Sequence, residues 1–408
     1  MWLSVTRHGT ARLEKLFMNN LDIIEKVVDG IRKAKFDAIV TFGPDNAQYL
    51  SGAQLPINYY QSDQLLIVVC LQNGKQVCIC PAEWESAVQE STWIKNIITY
   101  RSGSQNIAAF ISIIKGLVES IDNKHPVLGL DKHRVSQQIY EFLIKEIPTA
   151  EWRDCSTMVR NIRSVKTQNE VDLLEKVAEM TDHGINGAIH HVTVDRRTTA
   201  LTLAEELRVH CQERGVDMVG YHASARVASN PEDLGVMWHF TPKFGYSRTN
   251  DFEPEETARM EIKNSLQGYW SDAARIMTLG EPTKEQHEAY EWLVFLREAV
   301  IKHIKPGRKC SEVFNLVKTE AEKAGISWIT DLGLGHGIGI SPCEPPYINA
   351  SDTTLLEENM VLVIAPVIQT PLGKILYSKD TIVVTPLGCR VVGWYKDWRE
   401  PYVPIASI

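Results

Sequence analysis

Hydrophobic residues follow a helical spacing and a strand-like pattern in alternation from residue 21 onward. In the segment 21–31 they recur at helical spacing, and the segment 36–42 has the apolar composition of a strand. The same alternation continues through further strand and helix candidates to about residue 150. A chain with this pattern folds into a mixed structure of helices and sheets, and its first part is predicted to be an α/β unit.

Two strand candidates, Leu65–Leu71 and Gln76–Cys80, flank the pair Asn73-Gly74. Because Asn and Gly both tolerate positive φ, this pair favours a type I′ turn and predicts a β-hairpin. We expect residues 20–155 to form one N-terminal domain. Residues 1–19 show no sustained periodicity, and we expect them to form a separate arm.

A second pattern begins after residue 155. Thr167 and Glu170 form a capping box, in which the hydroxyl and the carboxylate each satisfy a backbone amide, and it predicts a long helix that begins near residue 168. Beyond it, two helical segments are followed by strand-like segments, and this order occurs twice before Val392. The repetition predicts an internally duplicated domain over residues 156–408.

The composition is that of a globular protein. The chain has 408 residues, of which 44% are hydrophobic and 23% charged, and these values exclude disordered, collagen-like and coiled-coil proteins. The formal net charge of −8 gives no basic excess, which argues against nucleic acid and an anionic membrane as partners. We therefore expect a small-molecule substrate.

Nothing in the sequence indicates export or membrane insertion. No apolar run reaches the roughly 18–20 residues that a membrane span needs, and the first residues lack the apolar core of a signal peptide. The eight cysteines are scattered and include no CxxC pair, as is typical of reduced thiols. These observations predict a cytoplasmic protein.

Several motifs in the second half carry side chains suited to chemistry. In chain order they are Met237-Trp-His239-Phe-Thr, Glu261 to Arg275, Gly335-His336-Gly337-Ile338-Gly339, Met360 to Pro366, and Tyr377-Ser-Lys379-Asp380-Thr381. As an ordered set they resemble the aminopeptidase P, prolidase and creatinase superfamily. The resemblance extends to Asn46-x-x-Tyr49-x-x-Gly52, Arg163-x-x-Lys166-x-x-x-Glu170 and Lys305-Pro-Gly, and it covers about residues 21–395.

This resemblance implies an α+β fold with two domains. The larger C-terminal domain would have the pita-bread fold that is known from creatinase and the aminopeptidases. The smaller α/β domain before it would be of the creatinase N-terminal type.

The resemblance also implies how this chain departs from the metallopeptidases of the superfamily. Their five ligands to two metal ions fall here on Glu261, Asp272, His336, Ala365 and Lys379. A methyl group cannot bridge two cations, and an ammonium group repels a divalent ion and offers no lone pair. We therefore expect no metal cofactor.

The same resemblance suggests catalytic roles. His239 matches a family histidine near the scissile bond and is expected to act as general acid or base. Glu261 or Asp272 would orient water or a cationic substrate group, and Lys379 would neutralise these carboxylates and steady developing negative charge. His336 is expected to bind a substrate carboxylate or to serve as a second base. A purely structural interpretation is an ion pair left by a degenerate metal site.

Four further residues are predicted to contact the substrate. Tyr59 and Tyr60 lie in a segment that, in creatinase-like dimers, is expected to close over the partner's active site. Cys343 stands where the peptidases carry another histidine, and Glu344 beside it is a reserve carboxylate. The resemblance therefore also predicts a homodimer.

The leading hypothesis is a metal-independent, creatinase-like enzyme that hydrolyses a C–N bond in a small amino-acid-like or amidine-like substrate. A lyase or decarboxylase on the same scaffold would use the same groups. The sequence is also compatible with a metallohydrolase of the Xaa-Pro aminopeptidase or prolidase type, and with a catalytically silent binding protein.

Overall fold

The computed structural model describes residues 21–54, 64–103, 105–194, 200–216, 218–224, 257–278, 282–370 and 375–393. The chain divides into two compact units, Met1–Arg163 and Ser164–Ile408. The predicted domain boundary at 155/156 lies slightly earlier, at the start of a helix that ends at Ser164. The predicted arm, residues 1–19, lies outside the described residues.

The N-terminal unit is built around one six-stranded mixed sheet. Its strands are β1 (Ala38–Phe42), β2 (Ile67–Leu71), β3 (Gln76–Pro81), β4 (Ile97–Tyr100), β5 (Val127–Leu130) and β6 (Glu151–Asp154), in the order β4-β3-β2-β1-β5-β6. The described helices of this unit are α1 (Leu21–Lys33), α2 (Pro44–Ser51), α3 (Glu85–Ser91), α4 (Asn106–Glu119), α5 (Gln137–Glu146) and α6 (Ser156–Ser164). All five residues of β1 are buried, as expected for a strand at the centre of a covered sheet.

The predicted hairpin between β2 and β3 is present, but its predicted turn type is wrong. Gly74 has φ +88° and Asn73 does not have positive φ, whereas a type I′ turn requires it at both positions. The Gly74 amide donates to the Leu71 carbonyl, and the Leu71 amide donates to the Lys75 carbonyl. These bonds close a three-residue loop, residues 72–74, with glycine in the left-handed position. A type I′ turn has only two loop residues.

A buried polar network joins Asn46 and Arg163, the first residues of two of the sequence motifs. The Arg163 guanidinium donates to the carboxylate of Asp45 and to the side-chain oxygen of Asn46, and the Asn46 amide donates to Asp131. Burial opposes the ionisation of Asp45, but Arg163 and Arg134 outweigh it and lower the pKa of this carboxyl group. The network ties helix α2 and the end of β5 to helix α6.

The C-terminal unit contains two successive sets of helices and strands. The first set comprises α7 (Gln168–Val194), α8 (Ala200–Glu213), β7 (Met218–Ser224), β8 (Thr257–Leu266) and β9 (Tyr269–Thr278). The second comprises α9 (Lys284–His303), α10 (Cys310–Lys323), β10 (Gly335–Gly337), β11 (Glu344–Tyr347), β12 (Val361–Ile364), β13 (Val367–Gln369), β14 (Ile375–Tyr377), β15 (Asp380–Thr385) and β16 (Gly388–Val391). This is the predicted order of two helices and then strands, occurring twice.

Three sheets organise these strands within the described residues: β7-β8-β9, β11-β10-β12-β15-β16, and the pair β13-β14. Helices α9 and α10 pack with β12 and β15 in one apolar core, whereas α7 and α8 pack on β8 and β9 in another. In the part of the chain that is described, no helix is long and apolar enough to cross a membrane.

The predicted capping box at the start of α7 is confirmed. The Thr167 amide donates to Glu170 (2.8 Å), and the Glu170 amide donates to the Thr167 hydroxyl (3.3 Å). Both otherwise unpaired amides of the first turn are thereby satisfied, so the helix begins where the sequence places it.

A tight turn joins strands β8 and β9. Gln267 (φ +53°) and Gly268 (φ +80°) are the positive pair that defines a type I′ turn. Because a two-residue turn fixes which residues face one another, it sets the register of the two strands that carry the site.

The backbone around Gly335, at the start of β10, leaves no space for a side chain. Its φ is +151°, and an added Cβ would lie 2.0 Å from the Val363 carbonyl oxygen on β12. We expect Gly335→Ala to lower the free energy of unfolding by about 2–4 kcal/mol, because the backbone must shift and adopt a strained conformation.

Gly388→Ala in β16 of the same sheet is the matched control. A Cβ there would meet its nearest atom at 3.7 Å, an ordinary contact. Chemical denaturation followed by tryptophan fluorescence measures both variants. Equal losses in the two would contradict this account of β10.

Candidate active site

The β8–β9 hairpin brings two buried carboxylates to one place. The register pairs Glu261 with Ala274 and Lys263 with Asp272 across the two strands. Because side chains alternate along a strand, Glu261 and Lys263 share one face of β8. Glu261 is 3% exposed and Asp272 is fully buried.

Lys379 lies between these carboxylates. Its Nζ is 2.6 Å from Oε1 of Glu261, and 3.3 and 3.1 Å from Oδ1 and Oδ2 of Asp272. An ammonium group has three N–H donors, and three carboxylate oxygens accept them here. Lys379 is therefore fully committed to the two carboxylates.

The main chain of Lys379 is held as firmly as its side chain. Its amide donates to the Ala274 carbonyl (3.1 Å), and the Arg275 guanidinium donates to the Lys379 carbonyl. Arg275 also pairs with Asp380 at 2.9 Å, and Asp380 is held from the other side by Arg297 at 2.8 Å. Arg275 thus braces the strand and fixes where Lys379 enters the site.

The charges of the cluster stabilise one another. Burial opposes the ionisation of Glu261, but the ammonium groups of Lys379 and Lys263 and a hydrogen bond from Tyr377 lower the pKa of this carboxyl to about 2. Burial likewise disfavours a charged Lys379, yet Asp272 and Glu261 raise its pKa above the ordinary value. Both groups are ionised at neutral pH.

His336 faces the same cluster from β10. Its Nδ1 lies 3.0 Å from the Gly337 carbonyl, which can only accept, so Nδ1 carries the ring proton. Nε2 then presents its lone pair 3.7 Å from Oδ2 of Asp272. Burial is the largest cause of a lowered His336 pKa, and the neighbouring Lys379 acts in the same direction while Asp272 opposes it. The ring is neutral at pH 7 and can accept a proton.

Two members of the cluster, Lys263 and Tyr377, are absent from the set of site residues predicted from the sequence. The Lys263 Nζ lies 3.2 Å from Oδ2 of Asp272, and the Tyr377 hydroxyl donates to Oε2 of Glu261. Burial lowers the pKa of Lys263, whereas the contact with Asp272 opposes that change. The alternation of β8 could have revealed Lys263, because it stands two residues after Glu261 on a predicted strand.

The two neighbouring candidates for substrate contact differ in their surroundings. Glu344 is buried at the start of β11, where the Lys166 Nζ approaches its Oε1 at 3.2 Å. The Cys343 side chain is exposed, and partial desolvation raises the pKa of its thiol, so it is protonated at neutral pH. Their predicted contact with substrate stays a prediction.

Three other candidates lie outside the described residues. His239 falls in the segment 225–256, and Tyr59 and Tyr60 fall in the segment 55–63. Their roles therefore rest on the sequence alone.

Comparison with known proteins agrees with this architecture. Residues 23–165 match the creatinase/prolidase N-terminal domain, and residues 172–386 match the metallopeptidase family M24. An uncharacterized peptidase of Staphylococcus aureus is 23% identical over 376 residues, which are 91% of this chain and 99% of the relative.

Solved structures show the same fold at low sequence identity. The X-Pro aminopeptidase of Thermotoga maritima has a TM-score of 0.75 and 17% identity, with 93% of this chain and 99% of that chain covered. The prolidase of Pyrococcus horikoshii has a TM-score of 0.72 and 20% identity, with coverage of 91% and 97%.

A creatinase-type N-terminal domain followed by a pita-bread domain defines the superfamily that the motifs resemble, so the expected fold is confirmed. The M24 match covers more than half of the chain. This protein belongs to the metallopeptidase family M24, and the expectation of a hydrolase that acts on C–N bonds is confirmed at the level of the family.

The side chains at the family's ligand positions do not fit a pair of metal ions. Lys379 places an ammonium group against both carboxylates, and Ala365 supplies no donor atom. Across the described parts of the chain, no group of three or more His, Cys, Asp or Glu side chains is arranged to hold a metal ion. The carboxylate oxygens instead accept hydrogen bonds from the ammonium group of Lys379.

The first prediction for this site concerns the charge of Lys379. Lys379→Met keeps most of the unbranched side chain and removes its charge, which leaves Glu261 and Asp272 buried side by side without the ammonium group between them. We expect the free energy of unfolding at neutral pH to fall by about 3 kcal/mol, as is usual when one partner of a buried ion pair is removed.

Lys284→Met is the control, because the Lys284 side chain is 91% exposed and contacts only the surface carboxylate of Glu288 among the ion pairs of the described residues. It is expected to change stability by less than about 0.5 kcal/mol. Urea denaturation measures the free energy of unfolding of both variants. Losses of the same size would contradict a stabilising contribution from the buried ion pair.

The second prediction is a pH dependence of stability. The folded pKa of Glu261, about 2, lies below its ordinary value of 4.5, so the contribution of this group is complete above about pH 4.5 and is lost as the pH falls toward 2. The wild type should lose stability across this window more steeply than Lys379→Met. If the free energy of unfolding falls equally steeply with pH in the two proteins, the lowered pKa of Glu261 is contradicted.

Proposed function

We propose that this protein is a metal-independent, creatinase-like hydrolase of a C–N bond in a small amino-acid-like or amidine-like substrate. One observation carries the proposal: the ammonium group of Lys379 lies within 3.3 Å of three oxygens of Glu261 and Asp272. A fixed cation therefore occupies the place between the two carboxylates, and the chain supplies it itself.

The geometry supports His336 as the proton acceptor. Its Nε2 is unprotonated at neutral pH and lies beside Asp272, where a water molecule can be oriented. In the proposed step His336 takes a proton from water, the resulting hydroxide oxygen attacks the carbon of the C–N bond, and the leaving nitrogen takes a proton from protonated His239 as that bond breaks; solvent then carries the proton of His336 back to His239. His239 is proposed to serve as the acid for the leaving nitrogen.

The contacts of Lys379 also narrow the choice of substrates. On sequence grounds, Glu261 or Asp272 could orient a cationic substrate group. Both carboxylates already accept from a lysine, and Glu261 accepts a further bond from Tyr377. A substrate cation would therefore gain little here, which favours uncharged amides and lactams over amidinium compounds.

The direct test is hydrolysis in the presence of excess EDTA. The panel comprises N-acyl amino acids, lactams, Xaa-Pro dipeptides and amidino amino acids, with product release followed by mass spectrometry. We expect at least one uncharged member to be hydrolysed in EDTA at the same rate as with added Mn²⁺. Hydrolysis only after addition of Mn²⁺ would contradict metal independence.

His336→Gln should then lower turnover about 10²–10⁴-fold, because a positioned base contributes that much to the rate. Wild-type turnover should fall with decreasing pH only below the ordinary histidine pKa of 6.5, since the pKa of His336 is lowered. His303→Gln is the control, because His303 pairs with Glu320 on the helix α10 side of the unit. Turnover unchanged in His336→Gln would exclude His336 as the base.

His239→Ala is expected to lower turnover to a similar extent, about 10²–10⁴-fold, while ligand binding persists. A thermal-shift titration with the hydrolysed substrate checks binding, and initial rates check turnover. If His239→Ala keeps wild-type turnover, the acid must be another group.

A metallohydrolase of the prolidase type is the second candidate, because the family is named for metallopeptidases and the similar solved structures include an X-Pro aminopeptidase and a prolidase. Metal analysis of the purified protein distinguishes it: near-stoichiometric transition metal would favour this candidate. A lyase or decarboxylase would appear in the same panel by its products.

We also propose a homodimer in which the partner subunit's segment around Tyr59 and Tyr60 completes the pocket. Light scattering during gel filtration reports the mass in solution. A fully active monomer would contradict the dimer.

A further inference from the structure

Lys263 is a buried cation of the site that none of the superfamily's ligand positions includes. Its side chain is 6% exposed, and its Nζ lies 3.2 Å from Oδ2 of Asp272. The strand register places it directly opposite Asp272, and the alternation of β8 turns it to the same face as Glu261. Its position is therefore set by the fold and not by a flexible surface chain.

Asp272 contacts two ammonium groups through one oxygen. Its Oδ2 lies 3.1 Å from the Nζ of Lys379 and 3.2 Å from the Nζ of Lys263. A carboxylate that joins two metal ions in a dinuclear centre also contacts two cations. Asp272 is fully buried, so water cannot screen either cation.

The charges of this cluster cancel. Two carboxylates, Glu261 and Asp272, are matched by two ammonium groups, Lys263 and Lys379, that lie within 3.2 Å of them. Divalent ions need a site with a surplus of negative oxygen ligands. Replacing Lys379 alone would leave one ammonium group in contact with Asp272.

We propose that Lys263 and Lys379 form an ammonium pair that takes the place of the two metal ions of the family's centre, with Asp272 as the carboxylate that joins them. Lys263 is thus a functional residue of the site. The inference rests on the proposed metal independence and goes further, because it assigns the second cation position to a residue outside the family's ligand set.

The experiment measures binding of Mn²⁺ alone by calorimetry at pH 7. The variants are Ala365→Glu/Lys379→Glu, the same pair with Lys263→Ala, and Lys263→Ala by itself, compared with the wild type. The double variant restores both missing carboxylates but keeps the second ammonium group. We expect the triple variant to bind Mn²⁺ at least about 100-fold more tightly than the double variant, because it lacks the repulsion from Lys263.

Three results have distinct meanings. If the double variant binds Mn²⁺ as tightly as the triple variant, Lys263 is not the second cation and this inference is overturned. If the wild type already binds Mn²⁺ stoichiometrically and needs it for hydrolysis, the proposed function fails as well. Weak binding by the wild type and the double variant, with tight binding by the triple variant, supports the ammonium pair.

A stability cycle keeps the inference testable if the triple variant does not fold. Lys263→Met should lower the melting temperature by roughly 5–10 °C because it strips Asp272 of a buried partner, whereas Lys263→Arg, which keeps the charge, should lower it much less. Adding Asp272→Asn to Lys263→Met should cost far less than Asp272→Asn costs alone. Additive losses in this cycle, or equal losses for Met and Arg, would overturn the pairing.

Discussion

The ion pair between the Lys379 ammonium group and the carboxylates of Glu261 and Asp272 is the interaction on which the site depends. Two buried carboxylates repel each other and are costly to hold in a protein interior without a cation. In a dinuclear metal centre the metal ions supply the positive charge. Here a side chain reaches in from the loop between β14 and β15, and all three of its N–H groups meet carboxylate oxygens.

The surrounding structure places this side chain with little freedom. The tight Gln267-Gly268 turn sets the β8–β9 register, and the Ala274 backbone pairs with that of Lys379. Arg275 and Arg297 hold Asp380, the next residue in the chain. A long, flexible lysine loses much conformational entropy when it is fixed, and a braced backbone limits the part of that loss that falls on its main chain.

Membership of the metallopeptidase family M24 and the contents of the site therefore point in different directions. The fold keeps the hairpin, the glycine-rich strand β10 and the histidine on it, so the frame of the family is present. The charges inside the frame differ: the cluster is balanced by its own lysines, and His336 is left neutral. The proposed metal-independent hydrolysis would rely on proton transfer by imidazole more than on Lewis acidity.

Much of the fold and of the candidate site could be predicted from the sequence, because helix caps and motif spacing depend on residues that are close together in the chain. The capping box at Thr167, the helices after it, the family motifs and the loss of two ligand positions at Ala365 and Lys379 are all visible in the chain. The turn at Asn73-Gly74 was predicted with the wrong type, since loop length and not only residue type selects a turn. Strand alternation could have placed Lys263 beside Glu261, but the contacts of Lys263 with Asp272 and of Tyr377 with Glu261 appear only in the tertiary structure. Their partners lie far away in the chain or across a strand pair, and a contact between strands depends on register, which no single segment of sequence specifies.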